Sequence, residues 1–183
     1  MINLVFADAG PLISLAQANA LDLILKFAPE VEVIITDLVC HEVTTNKDVY
    51  IDAAKISQFL TKHAGHVMVE NTSYGQYIIA ASKSDPNFKM PDDAGEISII
   101  SIDQFRKEPS LIIFEDRWFI DRLERLQKNT NLVSTSVFLK VALQKEIISK
   151  QRYDEIINAM MFSGRNLEEV ENNTEWESSF GIK

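Results

Sequence analysis

The sequence predicts an α/β domain whose strands form a mostly parallel sheet. Short apolar runs typical of buried strands alternate with longer stretches that have helical apolar spacing. The 183 residues are enough for one domain with its own hydrophobic core. The composition, with 46% hydrophobic and 25% charged residues, is ordinary for a globular protein, so the pattern of runs is the main evidence for the fold.

The N-terminal part begins with a strand, INLVFA (2–7), and continues with a helix over about residues 11–26, where leucines recur at helical spacing. VEVIIT (31–36) predicts the second strand. The short helix DLVCHEVT (37–44) follows it directly, and the threonine or the aspartate at the junction can cap this helix.

The middle of the chain predicts helices around an edge strand. An amphipathic helix over 48–63 leads into HVMVEN (66–71), which is expected at the edge of the sheet. YGQYIIAASKS (74–84) predicts another helix. Two prolines and an asparagine make 84–91 a loop, and 92–105 again has helical spacing.

The C-terminal part begins with SLIIFE (110–115), the clearest buried strand after the first. DRWFIDRLERLQ (116–127) predicts a helix, and NLVST (131–135) predicts a short strand. Two closing helices are expected over 136–149 and 151–161. The order of elements is therefore that of an alternating α/β domain.

The chain is expected to divide into a domain over residues 1–162 and an acidic C-terminal tail over 163–183. The single cysteine, Cys40, excludes an internal disulfide and a cysteine-based zinc site. The net charge of −9 argues against a broadly basic nucleic-acid binder, but not against an enzyme that holds phosphate through metal ions. Since neither a membrane-spanning run nor a signal peptide is recognisable, we expect a cytoplasmic protein without membrane partners.

Carboxylates follow the predicted strands where sites form in open α/β sheets, beyond the carboxyl ends of the strands. Asp8 ends the first strand, and Glu42 lies on the short helix after the second. Asp93 and Glu96 stand three residues apart at the start of the helix before the fourth strand, so they share one face of it. Asp116 ends that strand. The sequence therefore predicts a concentrated negative cluster at one edge of the sheet.

Such a cluster requires cations, because like charges a few ångströms apart raise one another's pKa values or attract a divalent ion. Oxygen ligands without paired histidine or cysteine favour Mg²⁺ or Mn²⁺. Two such ions roughly 3.5–4 Å apart can activate a water and stabilise the leaving oxygen of a phosphodiester. Structural roles are open too: Asp8 and Asp93 can cap helices, Glu42 can be a solvated helix residue, and Asp116 can pair with a nearby arginine.

Other phosphate-handling classes lack their required residues. DAGPLIS, after the first strand, has no G-x-G-x-x-G turn, and no Gly-Lys-Ser/Thr occurs in the chain. A phospho-receiver domain would have an acid pair at the first strand and a lysine after the last. An Asp-x-Asp phosphatase would have an acid in place of Gly10. These classes are therefore set aside.

Five segments in their order resemble the PIN-domain ribonucleases, namely VFADAGPLISLAQANALDLI, VIITDLVCHEV, DDAGEISIISI, LIIFEDR and STSVFLKVALQKEII. The chain is most similar to the branch whose third motif reads Asp-x-Gly-Glu, related to the VapC-type toxins of toxin–antitoxin pairs. The resemblance covers about residues 2–160. It implies a three-layer α/β/α fold with a central five-stranded sheet.

The resemblance also implies an acidic phosphodiesterase site that depends on Mg²⁺ or Mn²⁺. The family's acids map onto Asp8, Glu42, Glu96 and Asp116, with Asp93 as a supplementary acid. In this assignment Asp8, Glu96 and Asp116 hold the principal ion, Glu42 orients the attacking water or a second ion, and Asp93 supports them. The implied activity is hydrolysis of RNA.

Further residues and partners follow from the same resemblance. Thr135 or Ser136 falls where the family often has a hydroxyl close to the metal. Arg117 belongs to a local basic strip that can contact RNA, or else to a solvated face with salt bridges. The implied partners are an RNA substrate, a second copy in a homodimer and a protein antitoxin.

The sequence departs from the family pattern at three places. Ala9 and Gly10 follow the first Asp, where a small polar residue is common, and Glu115 replaces a frequent Asp or Thr and is expected to face solvent. The tail has no recognised counterpart. The alternative function is a catalytically silent PIN-like binding module, whose carboxylates would be held by Lys or Arg and would bind no divalent ion.

Overall fold

Five short strands pair in parallel to form one sheet in a computed structural model that describes residues 4–27, 31–115 and 118–164. The strand order is β3-β2-β1-β4-β5. The strands are β1 (Leu4–Ala7), β2 (Glu32–Thr36), β3 (Val67–Glu70), β4 (Ser110–Phe114) and β5 (Thr130–Ser134). This confirms the predicted α/β class, and all five strands lie within the predicted runs or one residue beyond them.

The centre of the sheet is buried on both faces. In β1, Val5 and Ala7 point to one face and Phe6 to the other, yet each side chain is at most 2% exposed. All five residues of β4 are buried as well. Helices therefore cover both faces and form the outer layers of a three-layer α/β/α fold.

β1 lies between two partners that are far apart in sequence. Val5 pairs with Val33 of β2 on one side and with Leu111 of β4 on the other. β3 is an edge strand, as predicted, and Met68 and Val69 are 40% and 44% exposed there. The carboxyl ends of all strands meet at one edge of the sheet because the sheet is entirely parallel.

Eight α-helices connect or follow the strands among the described residues. They are α1 (Ala9–Gln17), α2 (Asp22–Phe27), α3 (Asp37–Thr44), α4 (Ile51–Lys62), α5 (Ser73–Ser84), α6 (Ala94–Asp103), α7 (Thr135–Gln144) and α8 (Lys150–Phe162). Of the two candidate caps for α3, Thr36 is the one used, since its hydroxyl accepts a hydrogen bond from the Val39 amide at 3.3 Å.

The helix predicted over 11–26 is interrupted. The Asn19 amide donates to the Ala16 carbonyl at 3.2 Å, and the Ala20 amide donates to the Leu15 carbonyl at 2.8 Å, which closes α1 with a Schellman motif. Asn19 has a φ of 52°, a left-handed conformation that asparagine tolerates better than most residues. The leucine spacing continues into α2, so the apolar pattern alone did not reveal the break.

The prediction of a helix over 116–127 is also wrong for its described part. The chain there forms a turn followed by a 3₁₀ helix, Ile120–Arg125, with a kink at Arg122. Trp118 and Phe119 both pack against the core.

The start of α3 is joined to the start of α5 by the buried Asp37. Its Oδ1 accepts a hydrogen bond from the Thr72 hydroxyl at 3.0 Å, and its Oδ2 accepts one from the Thr72 amide at 3.1 Å. The Thr72 hydroxyl in turn caps α5 by accepting from the Gly75 amide at 2.7 Å. Gly75 is required at this junction, because a Cβ there would overlap the Asp37 carboxylate.

The end of α6 is fixed at the opposite, amino edge of the sheet by Asp103, whose side chain is fully buried. Its carboxylate accepts hydrogen bonds from the Ser110 hydroxyl at 2.7 Å, from the Thr130 hydroxyl at 2.8 Å and from the backbone N–H of Gln127 at 3.1 Å. Because these donors lie at or near the starts of β4 and β5, the first turn of α6 lies near the carboxyl edge.

The predicted acidic tail falls almost entirely outside the described residues. Ser163 and Gly164 follow α8 as a turn. The division into residues 1–162 and 163–183 stays a prediction.

Candidate functional site

Asp8 lies where β1 ends at the carboxyl edge of the sheet. Its side chain is only 5% exposed, and its amide donates a hydrogen bond to the Ile113 carbonyl of β4 at 3.1 Å. Asp8 occupies the N-cap position of α1, but its side chain makes no capping hydrogen bond to that helix. A structural cap therefore does not account for a buried carboxylate at this position.

Two predicted acids approach the first turn of α6 at Gly95. A Cβ built on Gly95 would lie 3.4 Å from Oε2 of Glu42 and 3.9 Å from Oδ1 of Asp8. These oxygens come from α3 and from the end of β1, so two distant segments bring carboxylates to one small space. Glu96, the next residue, is partly buried in the same turn of α6.

A short chain of hydrogen bonds fixes this turn against β2. The Ser98 hydroxyl donates to the Gly95 carbonyl at 2.5 Å, and the hydroxyls of Ser98 and Thr36 are 2.5 Å apart. Because Ser98 donates its proton to Gly95, Thr36 is the donor between the two hydroxyls. The hydrogen bond between Thr36 and Ser98 was not predicted from the sequence, where Thr36 was considered only as a cap of α3.

Glu42 is exposed as a residue, but its carboxyl group is partly removed from water. The residue as a whole is exposed. Burial of its carboxyl group nevertheless raises the pKa of Glu42 above its ordinary value. Glu42 also lines a cavity of about 330 Å³ between α1, α3 and α4, together with Gln17 and Tyr50. The carboxylate is therefore reachable from solvent, while its charged form is disfavoured.

Asp93 precedes α6 but does not cap it through its side chain. Its Oδ2 instead accepts a hydrogen bond from Nε1 of Trp118 at 3.2 Å. The pKa of Tyr74 is raised by burial and, to a lesser degree, by the charge of Asp93. This hydrogen bond between Trp118 and Asp93 was not predicted from the sequence.

The hydroxyls predicted near the metal lie in the first turn of α7, just beyond β5. Thr135 and Ser136 are both buried. The Thr135 hydroxyl donates to the Phe114 carbonyl at 3.4 Å, and the Ser136 hydroxyl is 3.0 Å from that of Ser134. Both residues therefore stand at the carboxyl edge, next to the end of β4.

Two predicted site residues, Asp116 and Arg117, lie outside the described residues. Their neighbour Glu115 was expected to face solvent, and this is wrong, since its Oε1 is buried. The cause is Gly10, because a Cβ built there would lie 3.1 Å from Cβ and 3.2 Å from Oε2 of Glu115. The missing side chain at residue 10 makes room for the glutamate.

The chemistry of the donors fits a hard divalent cation, since the acids and hydroxyls at this edge offer only oxygen. Within residues 4–27, 31–115 and 118–164, however, no three His, Cys, Asp or Glu side chains are close enough together to hold a metal ion.

Ion pairs between the acids and Lys or Arg bear on the alternative that the protein is a catalytically silent binding module. In the described part of the chain, Glu42 and Asp93 form no ion pair with Lys or Arg. The cations pair elsewhere, for example Arg106 with Glu70 at 2.6 Å. For these two acids, neutralisation by described basic residues is therefore not observed.

Comparisons with known proteins agree with the architecture. A family model described as a PIN domain matches residues 4–173. No curated protein and no solved structure matches the chain significantly. None of the helices in the described ranges is long and apolar enough to cross a membrane.

Proposed function

The chain belongs to the PIN-domain family, and on this premise we propose that it is an endoribonuclease that hydrolyses RNA phosphodiester bonds with Mg²⁺ or Mn²⁺. PIN domains are generally nucleases and usually use divalent metal ions. The observation that carries the proposal is the approach of Asp8 and Glu42 to Gly95 at the carboxyl edge of the sheet.

The proposed ligands of the principal ion are Asp8, Glu96 and Asp116. When bound, a divalent ion would activate a water and stabilise the leaving oxygen of the phosphodiester. Asp8 suits this role because its backbone is fixed by the pairing of β1 with β4. Burial disfavours the charged form of a carboxylate, and a bound cation at Asp8 would favour it.

Glu42 is proposed to orient the attacking water. A carboxyl pKa that is raised toward neutrality makes Oε2 a better acceptor for the proton that the water loses. Gly95 lets this oxygen approach α6, because any larger residue would fill the space. Thr135, Ser136 and Arg117 are proposed to contact the RNA.

We further propose that the protein is the VapC-type toxin of a toxin–antitoxin pair, and that it forms a homodimer and binds a protein antitoxin. The five ordered motifs support this assignment. An exposed apolar segment before and at the start of α4 supports a protein interface, since Val49 and Ile51 are each 75% exposed and Tyr50 is 59% exposed.

Metal binding and cleavage test the nuclease function together. We expect Mn²⁺ or Mg²⁺ to raise the melting temperature of the parent protein and to support cleavage of RNA. Asp8→Asn should abolish both effects. Asp22→Asn is the matched control, because Asp22 is half exposed on α2 and pairs with Lys26 at 2.6 Å, and not with another residue of the described ranges.

Cleavage by Asp8→Asn at the parent rate would show that the proposed mechanism is wrong. A parent protein that neither gains stability from either ion nor cleaves RNA would instead favour the silent binding module.

A further inference from the structure

Trp118 is held from two sides in the turn that follows β4. Its Nε1 donates to Oδ2 of Asp93 at 3.2 Å. Its ring meets the fully buried Phe119 edge to face, with centroids 5.3 Å apart and planes at 80°. Phe119 in turn packs against Phe114 at the end of β4, at 6.3 Å. The indole therefore has a fixed orientation relative to both β4 and the start of α6.

The Arg122 guanidinium lies over the Trp118 ring, 4.3 Å from its centroid. An aromatic ring attracts the charge of a guanidinium but accepts few of its N–H groups, so the others stay available to acceptors. One of them, at Nη1, points to the Trp118 carbonyl at 3.4 Å, which is a long hydrogen bond. The remaining donors have no described carboxylate as a partner.

Arg122 differs in this respect from the other described arginines. Arg106 pairs with Glu70 at 2.6 Å, Arg152 with Glu155 at 3.3 Å, and Arg125 approaches Glu124 at 4.0 Å. Arg122 lies over an aromatic ring instead, and within the described residues it forms no ion pair with a carboxylate.

The pair formed by Arg122 and Trp118 lies beside the candidate site. Asp93 immediately precedes α6, two residues before Gly95, the point that Asp8 and Glu42 approach. An RNA phosphate near these acids would be repelled unless a cation stands close by. A guanidinium in fixed orientation suits a phosphate because it can donate two parallel hydrogen bonds.

We propose that Arg122 binds a phosphate of the RNA next to the scissile bond, and that Trp118 and Asp93 hold Arg122 in place. This inference rests on the proposed nuclease function. Asp93 is then a positioning residue that acts through the indole, and not a ligand of the metal. The assignment replaces the supplementary metal role that the family resemblance implies for it.

RNA affinity and its dependence on salt test the contact with Arg122. In the Asp8→Asn background, which prevents cleavage, we expect Arg122→Gln to weaken binding of single-stranded RNA by about tenfold at low salt. The slope of log K against log salt should fall by about 0.7, the value for one phosphate contact on a single strand. Arg125→Gln is the matched control and should change neither quantity, because its side chain is 58% exposed and lies beside Glu124.

Two variants of Asp93 separate positioning from metal binding. Asp93→Asn keeps a hydrogen-bond acceptor for the indole, so it should retain RNA affinity and the NMR shift of the Trp118 indole proton. Asp93→Ala should move that signal and weaken RNA binding as Arg122→Gln does. When they are made in the parent protein, which keeps Asp8, both Asp93 variants should retain the Mn²⁺-induced rise in melting temperature.

Three other results would each show that a particular part of the proposal is wrong. If the parent cleaves RNA but Arg122→Gln binds RNA with unchanged affinity and salt slope, the phosphate contact is wrong and the nuclease function stands. If both Asp93 variants lose the Mn²⁺ effect, Asp93 is a metal ligand and the positioning role is wrong. A parent that neither binds nor cleaves RNA would remove both proposals.

Discussion

Gly95 is the residue at which the candidate site is most sensitive to a small change. A Cβ there would lie 3.3 Å from Cγ2 of Val39 and 3.4 Å from Oε2 of Glu42, so both side chains would have to shift by a few tenths of an ångström. We expect Gly95→Ala to lower the cleavage rate about tenfold, because catalytic groups tolerate little displacement. Melting temperature should change little, since alanine also favours the helix.

The control for this prediction is Gly65→Ala, at a position where an added Cβ would have nothing within 4 Å. This variant should match the parent in both rate and melting temperature. Full activity of Gly95→Ala would show that the approach of Glu42 to α6 does not matter for cleavage.

The raised pKa of Glu42 predicts a pH-dependent effect on stability. The folded protein binds this proton more tightly than the unfolded chain does, so stability falls as pH rises from the ordinary pKa of 4.5 through the raised one. Glu42→Gln removes the charge and should raise the melting temperature of the metal-free protein at about pH 8, with a smaller gain at about pH 4. The same variant should lose cleavage activity.

Thermal melts at the two pH values, in the presence of a chelator, measure this difference. Glu124→Gln serves as the control, since the Glu124 side chain is 73% exposed. An equal gain for Glu42→Gln at both pH values would mean that the buried carboxylate is not its cause.

At the level of residues, the sequence predicted the position of the acids better than their partners. Asp8 could be placed because the end of β1 is visible as the end of an apolar run, and Glu42 because the short helix after the second run was recognised. The hydrogen bond from Trp118 to Asp93 could not be predicted, because it joins two turns whose geometry is set by packing. Glu115 was misassigned because the space beside Gly10 appears only when α1 and β4 are assembled.

Among the helices, the junction of α3 and α5 is the most tightly constrained. A Cβ at Gly75 would overlap the Asp37 carboxylate, which is itself fixed by Thr72. We expect Gly75→Ala to lower the free energy of unfolding by about 1–3 kcal/mol, the range for overpacked sites. Urea denaturation measures the change.

A double-mutant cycle identifies the cause of that loss. In an Asp37→Ala background, where the overlapping carboxylate is absent, Gly75→Ala should become neutral or stabilise by up to about 1 kcal/mol through helix propensity. The same penalty in both backgrounds would place the strain elsewhere.

The errors at this scale have a common origin. The break at Asn19 and the 3₁₀ helix at Ile120–Arg125 both lie inside runs with helical apolar spacing. Apolar spacing reports which residues contact the core, and a chain that turns can keep those contacts. By contrast, the strands were predicted well, since burial on both faces gives continuous apolar runs.

At the scale of the molecule, the two edges of the sheet have different roles. The carboxyl edge carries the candidate site, whereas Asp103 at the amino edge joins α6 to the starts of β4 and β5. We expect Asp103→Ala to lower the free energy of unfolding by about 3 kcal/mol, because several buried donors lose their acceptor.

Cleavage per folded molecule should nevertheless stay within about twofold of the parent for this variant, as its defect is one of stability. Urea denaturation gives the first quantity, and initial rates at a temperature well below the melting point give the second. A large loss of rate in fully folded Asp103→Ala would show that the amino edge also positions the catalytic acids.

The pairing of β1 with both β2 and β4 has a consequence for protein synthesis. β1 leaves the ribosome before its second neighbour, β4, whose Leu111 pairs with Val5 across a long stretch of intervening sequence. Pairings between such distant segments form late. A nascent chain therefore cannot complete the pairing of β1, or bring the carboxyl edge of the sheet together, until β4 has emerged.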